Sequence, residues 1–159
     1  MEYAPLQYDI NPVMALDSAT DAKKPFFPIA WYSFGPLRLD QLKEVSETGV
    51  NCVFFADCGR TEWADFCPVE EHLARVSAAL NWCQQKEIKV VIGFDGPIAA
   101  PPDYEDPNNV AYEMVREYVA AFRDHPALLG WKMGDEYSAE AAPGINATVE
   151  VIREAGSQH

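Results

Sequence analysis

Short apolar runs that each stop at an acid, separated by stretches of helical spacing, constrain this chain more than any other feature. Val50–Ala56 is followed by Asp57, Lys89–Phe94 by Asp95, and Ala127–Met133 by Gly134 and the pair Asp135–Glu136. Each run is rich in β-favouring or apolar residues and lacks the polar alternation of a one-sided strand, so each suits a strand covered on both faces. Pro25–Phe34, with Phe26, Phe27, Ile29, Trp31, Tyr32 and Phe34, is a fourth run of this kind and is the expected first strand.

Between the runs the apolar spacing becomes helical. Leu39, Leu42 and Val45 predict a first helix within Leu37–Thr48, stopped by Gly49. Leu73, Val76, Leu80 and Cys83 predict a second from Pro68 to about Lys86, and Ala111, Met114, Val115, Tyr118 and Phe122 a third after Pro107. His125–Pro126 ends the third helix and introduces the fourth strand. Ile145, Val149 and Ile152 predict a fourth helix to about Ala155. Asp95-Gly96-Pro97 reads as a turn opening a Pro-rich loop.

Four strand–helix units in sequence predict an α/β domain over residues 25–159 with a parallel (β/α)4 sheet, half of a TIM barrel. The unit length is close to one eighth of a roughly 250-residue barrel. Residues 1–24 are expected to form an irregular N-terminal arm, with one short strand near Leu6–Ile10. A small doubly wound sheet competes, but Phe34-Gly35-Pro36 lacks the Gly-rich phosphate fingerprint, so no nucleotide or other cofactor is expected.

Composition narrows the partners. At 159 residues with 48% hydrophobic and 23% charged positions, the chain fits one globular domain. It has no apolar run near the roughly 20 residues that span a bilayer. A net charge of -13 disfavours nucleic acid and anionic membrane surfaces, which bind through Lys and Arg excess. No basic segment followed by an apolar one opens the sequence, so no signal peptide is visible and the cytoplasm is the default location. Cys52, Cys58, Cys67 and Cys83 have neither zinc-site spacing nor the density of a disulfide scaffold. They read as buried thiols with no metal, although Cys58 and Cys67 flank one loop and a bridge between them stays open.

In parallel α/β folds the carboxyl ends of the strands carry reactive groups, which singles out Glu136 and Asp135 as candidate catalytic residues, with Asp57 and Asp95 beside them. Capping of a following helix is the alternative for each acid. If Glu136 faces inward, Lys132 follows it by the two-residue strand period, and would neutralise an acid from a neighbouring strand or form an interior salt bridge.

The segments Lys24-Pro-Phe-Phe-Pro-Ile-Ala-Trp-Tyr32, Gly49-Val-Asn-Cys-Val, Lys89-Val-Val-Ile-Gly and His125-Pro-Ala-Leu-Leu-Gly-Trp, leading to Asp135-Glu136, resemble the N-terminal half of retaining (β/α)8-barrel glycoside hydrolases. The likeness runs from about Pro25 onward. It implies that Glu136, matching the glutamate after the fourth strand, is the general acid/base. Asp135 stands where the best-known members have asparagine. It also implies a nucleophilic glutamate after a seventh strand, which no residue of this sequence matches. The implied protein is a glycoside hydrolase-like domain that acts on or binds a carbohydrate and is incomplete as an enzyme alone. A non-catalytic carbohydrate-binding half barrel, or a structural or interaction half barrel, stays open.

The chemistry fits an acid at that place, because a glycosidic oxygen leaves only when protonated while a second carboxylate attacks or activates water. Aromatic rings near strand ends offer flat apolar faces to a sugar. Tyr32, Trp63 and Tyr137 are the candidates, whereas Trp31 and Trp131 read as core. Four parallel strands also leave the first and fourth as apolar edges, which predicts a homodimer or a partner chain covering them.

Overall fold

The computed structural model describes residues 14–16, 23–33, 39–58 and 69–156. Strands β1 (Met14–Leu16) and β2 (Lys23–Pro25) pair antiparallel. This pair forms within and just beyond the segment expected to be irregular; Leu6–Ile10 lies outside the described residues. The main sheet has four parallel strands in chain order: β3 (Ala30–Ser33), β4 (Cys52–Cys58), β5 (Lys89–Phe94) and β6 (Leu128–Met133). The helices are α1 (Leu39–Ser46), α2 (Val69–Gln85), the single turn α3 (Gly96–Ala99), α4 (Val110–Phe122) and α5 (Ala142–Glu154). Strand follows helix in sequential neighbours, the arrangement of half a TIM barrel.

Register and alternation divide the sheet into two faces. Trp31, Val53, Val90 lie in one row and Phe55, Ile92, Trp131 in another, and all share one face with Phe94. Helices cover that face. Val76, Leu80 and Cys83 of α2 and Val115, Val119 and Phe122 of α4 join Val53, Phe55, Val90, Ile92 and Phe94 in one buried core. Phe94 stacks on Trp131 at 5.5 Å and meets Tyr118 edge-on at 6.1 Å, and Trp131 and Trp31 are partly buried and pack against this core. Burying a side chain the size of Leu80 or Ile92 contributes roughly 1.5–3 kcal/mol, and this row of contacts fixes which face turns outward.

Local bonds and one glycine set several of the helix ends. Asn109 caps α4 by accepting from the Ala111 N–H at 2.8 Å, while its own amide donates to Asp103 at 2.5 Å. Gly49, at φ 83°, stops the turn after α1 where a side chain would be strained. Thr148 of α5 is fully buried and donates to the Ile98 carbonyl at 3.4 Å, tying the last helix to α3.

Three expectations differ. The first strand is Ala30–Ser33 rather than Pro25–Phe34, and its leading residues are not buried on both faces: Phe27 is 82% and Ile29 55% exposed. Pro25 belongs to β2, and apolar composition before Ala30 reflects neither burial nor pairing in the main sheet. Asp95-Gly96-Pro97 is not a simple turn: Asp95 caps the helical turn α3, with Pro97 at its start.

Candidate active site at the carboxyl end of the sheet

The inner face of the sheet is lined differently. Tyr32, Phe54 and Val91 form one row with Gly130, and Gly93 pairs with Lys132. Tyr32, Phe54 and Lys132 are only partly buried, and no atom stands within 4 Å of where a side chain on Gly130 would begin. The result is a concave surface with an aromatic and a cationic rim. Flat strands about 4.8 Å apart would leave β3 and β6 roughly 14 Å apart with side chains parallel. Yet the Lys132 ammonium donates to the Tyr32 hydroxyl at 2.8 Å and lies 4.9 Å from the centre of that ring. These two side chains lean together across the sheet on its inner face, as they do where a sheet curves like a barrel wall.

Beyond Met133 the strand period ends and the acids separate. Asp135 Oδ2 lies 3.6 Å from Lys132 Nζ and 3.5 Å from the Tyr32 hydroxyl, which donates to it. Asp135 is half exposed, so the ion pair itself contributes only ~0.2–1 kcal/mol. Lys132 thus answers the acid three residues further along its own strand end, rather than one from a neighbouring strand. Glu136 is exposed, and its carboxylate makes no hydrogen bond or ion pair among the described residues. Its backbone stands at φ 55°, with Gly134 at φ 53°. For a glutamate that left-handed conformation costs on the order of 1–2 kcal/mol.

Tyr137 closes the turn. Its hydroxyl donates to the Gly96 carbonyl at 3.1 Å and lies 3.5 Å from Asp95 Oδ1. Burial, and then the Asp95 carboxylate, push the phenol up to about 12. Its ring occupies the space beside Gly134: a Cβ there would meet Tyr137 Cε2 at 1.7 Å. Asp95 Oδ1 also accepts from the Gly96 N–H at 3.3 Å, so this acid serves as a cap, the alternative weighed from sequence.

Of the sequence-predicted residues, Tyr32 and Asp135 meet through Lys132, and Asp95 and Tyr137 meet through Gly96. Asp57 lies in β4, but its side chain, like Trp63, is outside the described residues, as is any bridge between Cys58 and Cys67. Cys52 and Cys83 are buried free thiols, pushed by burial to about 11 and about 12 respectively, hence unreactive near neutrality. The described residues contain no group of three or more side chains able to hold a metal ion. They also contain no helix long and apolar enough to cross a membrane. Sequence reasoning missed the Gly96 carbonyl and the left-handed turn; a glycine between strand and acid pair was the available signal.

No protein-family model matches this sequence, and no curated protein matches it. Solved structures do. An endoglucanase Cel5A from Pseudomonas stutzeri superposes with TM-score 0.54 at 21% identity, covering 73% of this chain and 39% of that one. The endocellulase from Pyrococcus horikoshii, in a cellotetraose complex, gives 0.56 at 14% identity, covering 87% and 50%. An endo-glycoceramidase II from Rhodococcus gives 0.54 at 13% identity, covering 78% and 46%. The chain therefore spans half or less of the length of these structures. It has the fold of a partial (β/α) barrel of the kind found in glycoside hydrolases.

Proposed function

We propose that this half barrel binds an oligosaccharide at the carboxyl end of its strands, with Glu136 as general acid/base for cleavage of a glycosidic bond. What supports the reading most is the division of labour between adjacent acids: Asp135 is engaged by Lys132 and Tyr32, while the Glu136 carboxylate at the same strand end has no partner among the described residues. In this role Glu136 gives its proton to the glycosidic oxygen as the C–O bond breaks, and recovers one from the water that adds to the anomeric carbon. The second carboxylate of that chemistry is not assigned to a described residue. Tyr32, beside Lys132 on the concave face, offers a ring to the sugar. The glucan ligands of the similar structures, cellobiose and cellotetraose, make β-linked glucose oligomers the first substrates to try.

The test is hydrolysis of aryl cellobioside and binding of cellotetraose, each by wild type and Glu136→Gln. Turnover lost and binding kept in the variant supports the proposal. Binding without turnover in wild type leaves a carbohydrate-binding half barrel, and absence of both overturns the reading. The open edges β3 and β6 belong to the same proposal, a second copy covering them. Light scattering at micromolar concentration that finds only a 17.7 kDa monomer would remove that part.

A further inference from the structure

The turn that carries Asp135 and Glu136 is held at both ends by one neighbouring strand end. At its start the Gly134 N–H donates to the Phe94 carbonyl, the last residue of β5, at 2.7 Å. At its finish the Tyr137 hydroxyl donates to the Gly96 carbonyl, two residues past β5, at 3.1 Å. Between these anchors stands Glu136 at φ 55°, with no side-chain hydrogen bond or ion pair among the described residues to offset its unfavourable backbone. A left-handed glutamate persists only where its surroundings over-determine it. The two anchors are the groups that do so.

We propose that Tyr137 is a positioning residue for Glu136: its phenol, bonded to Gly96, and its ring, seated against Gly134, pin the Asp135–Glu136 turn to the end of β5. This rests on the reading of Glu136 as the acid/base, and assigns Tyr137 a task other than stacking on sugar. The ring and the hydroxyl contribute separately. The ring fits only because Gly134 has no Cβ, which would stand 1.7 Å from Cε2. The hydroxyl has a single hydrogen, directed to a carbonyl, with the Asp95 carboxylate on the same side at 3.5 Å. Such an oxygen-rich pocket keeps the phenol protonated, in line with its titration near 12, so the anchor holds across the physiological range.

A sugar platform and an anchor respond oppositely to the same pair of variants. A platform needs the ring and tolerates loss of the hydroxyl. An anchor needs the hydroxyl. In Tyr137→Phe, amide hydrogen exchange followed by NMR should accelerate roughly 10-fold at Gly134, whose N–H is bonded to the Phe94 carbonyl, with β5 and β6 changing less than about twofold, the mark of a local opening. Where wild type turns over an aryl cellobioside, the same variant should lose about 10-fold or more in kcat with KM nearly unchanged, since only the acid has moved. Tyr137→Leu, which also removes the ring from beside Gly134, should lose further kcat, again with KM nearly unchanged. Exchange at Gly134 that stays at the wild-type rate in Tyr137→Phe overturns the proposal, as does a variant whose defect lies in KM alone. If wild type neither binds nor cleaves the sugar, the functional reading fails while the exchange measurement still decides the anchor.

Discussion

The two ends of the parallel sheet are built to opposite specifications. At the amino end every polar group named has a partner. Asn51 accepts from the Ile29 N–H at 2.7 Å and donates to the Phe27 carbonyl at 3.0 Å, and Lys89 donates to the Pro126 carbonyl at 2.8 Å. The His125 Nδ1 accepts from the Ala127 N–H at 3.1 Å, which leaves Nε2 to donate to Asn81 at 3.3 Å. At the carboxyl end Gly96, Gly134 and Glu136 stand in the left-handed region, as Gly49 and Glu87 do at the amino end, and the exposed Glu136 beside the bonded Asp135 has no partner among the described residues. At the amino end the bonds named tie backbone segments together; at the carboxyl end they join side chains around Glu136. That contrast, with Glu136 at its centre, is the argument for where chemistry belongs.

Four substitutions or conditions would break or sharpen the contrast. The largest effect is expected from Glu136→Gln: turnover, where present, should fall by about two to four orders of magnitude while unfolding free energy changes by less than about 0.5 kcal/mol. A stability loss of several kcal/mol would make Glu136 structural. Next is Gly134→Ala at the same end, which combines a left-handed alanine with a clash against Tyr137 and should cost about 2 kcal/mol or more in urea unfolding. A neutral result would mean that the turn is not held as described.

At the amino end, Asn51→Ala should cost about 0.5–1 kcal/mol by removing its bonds to the exposed Ile29 and Phe27 backbone groups, which water then takes up, with no change in ligand affinity. A change in affinity would undo the division between the ends. The smallest effect is a pH dependence at His125. Its pKa is lowered from the ordinary 6.5, first by burial and then by the Lys89 charge. A base held below its usual value stabilises the fold above that value and loses the contribution as pH falls through the lowered one. Protonation also removes the acceptor for the Ala127 N–H. Stability measured from pH 7.5 down to 5 should therefore decline as His125 protonates, and His125→Gln should flatten that slope.

The fold was legible where burial and composition agree. Val90, Val91 and Ile92 are apolar because helices cover one side and the barrel interior the other, and the stripes of α2 and α4 repeat at helical spacing for the same reason. The reading failed where they part company. Phe27 and Ile29 look like strand core and are exposed, held by Asn51 through backbone bonds that no local pattern announces. At the site, the strand ends and their acids were legible, because an apolar run that stops shortly before Asp95 or Asp135 marks its own end. The Lys132–Tyr32 bond joins residues a hundred positions apart, across the inner face of the sheet. Likewise the left-handed Glu136 depends on Phe94 and Gly96 from another strand end.

The central claim is that ligand recognition belongs to the carboxyl end of a half barrel. Mapping backbone amide shifts during titration with the oligosaccharide tests it most directly. The account predicts that perturbations concentrate at Tyr32, Asp95, Gly96 and the segment from Lys132 to Tyr137, with Asn51, Lys89 and His125 unmoved. Shifts centred on Asn51 and His125, or no shift at millimolar ligand, would contradict it.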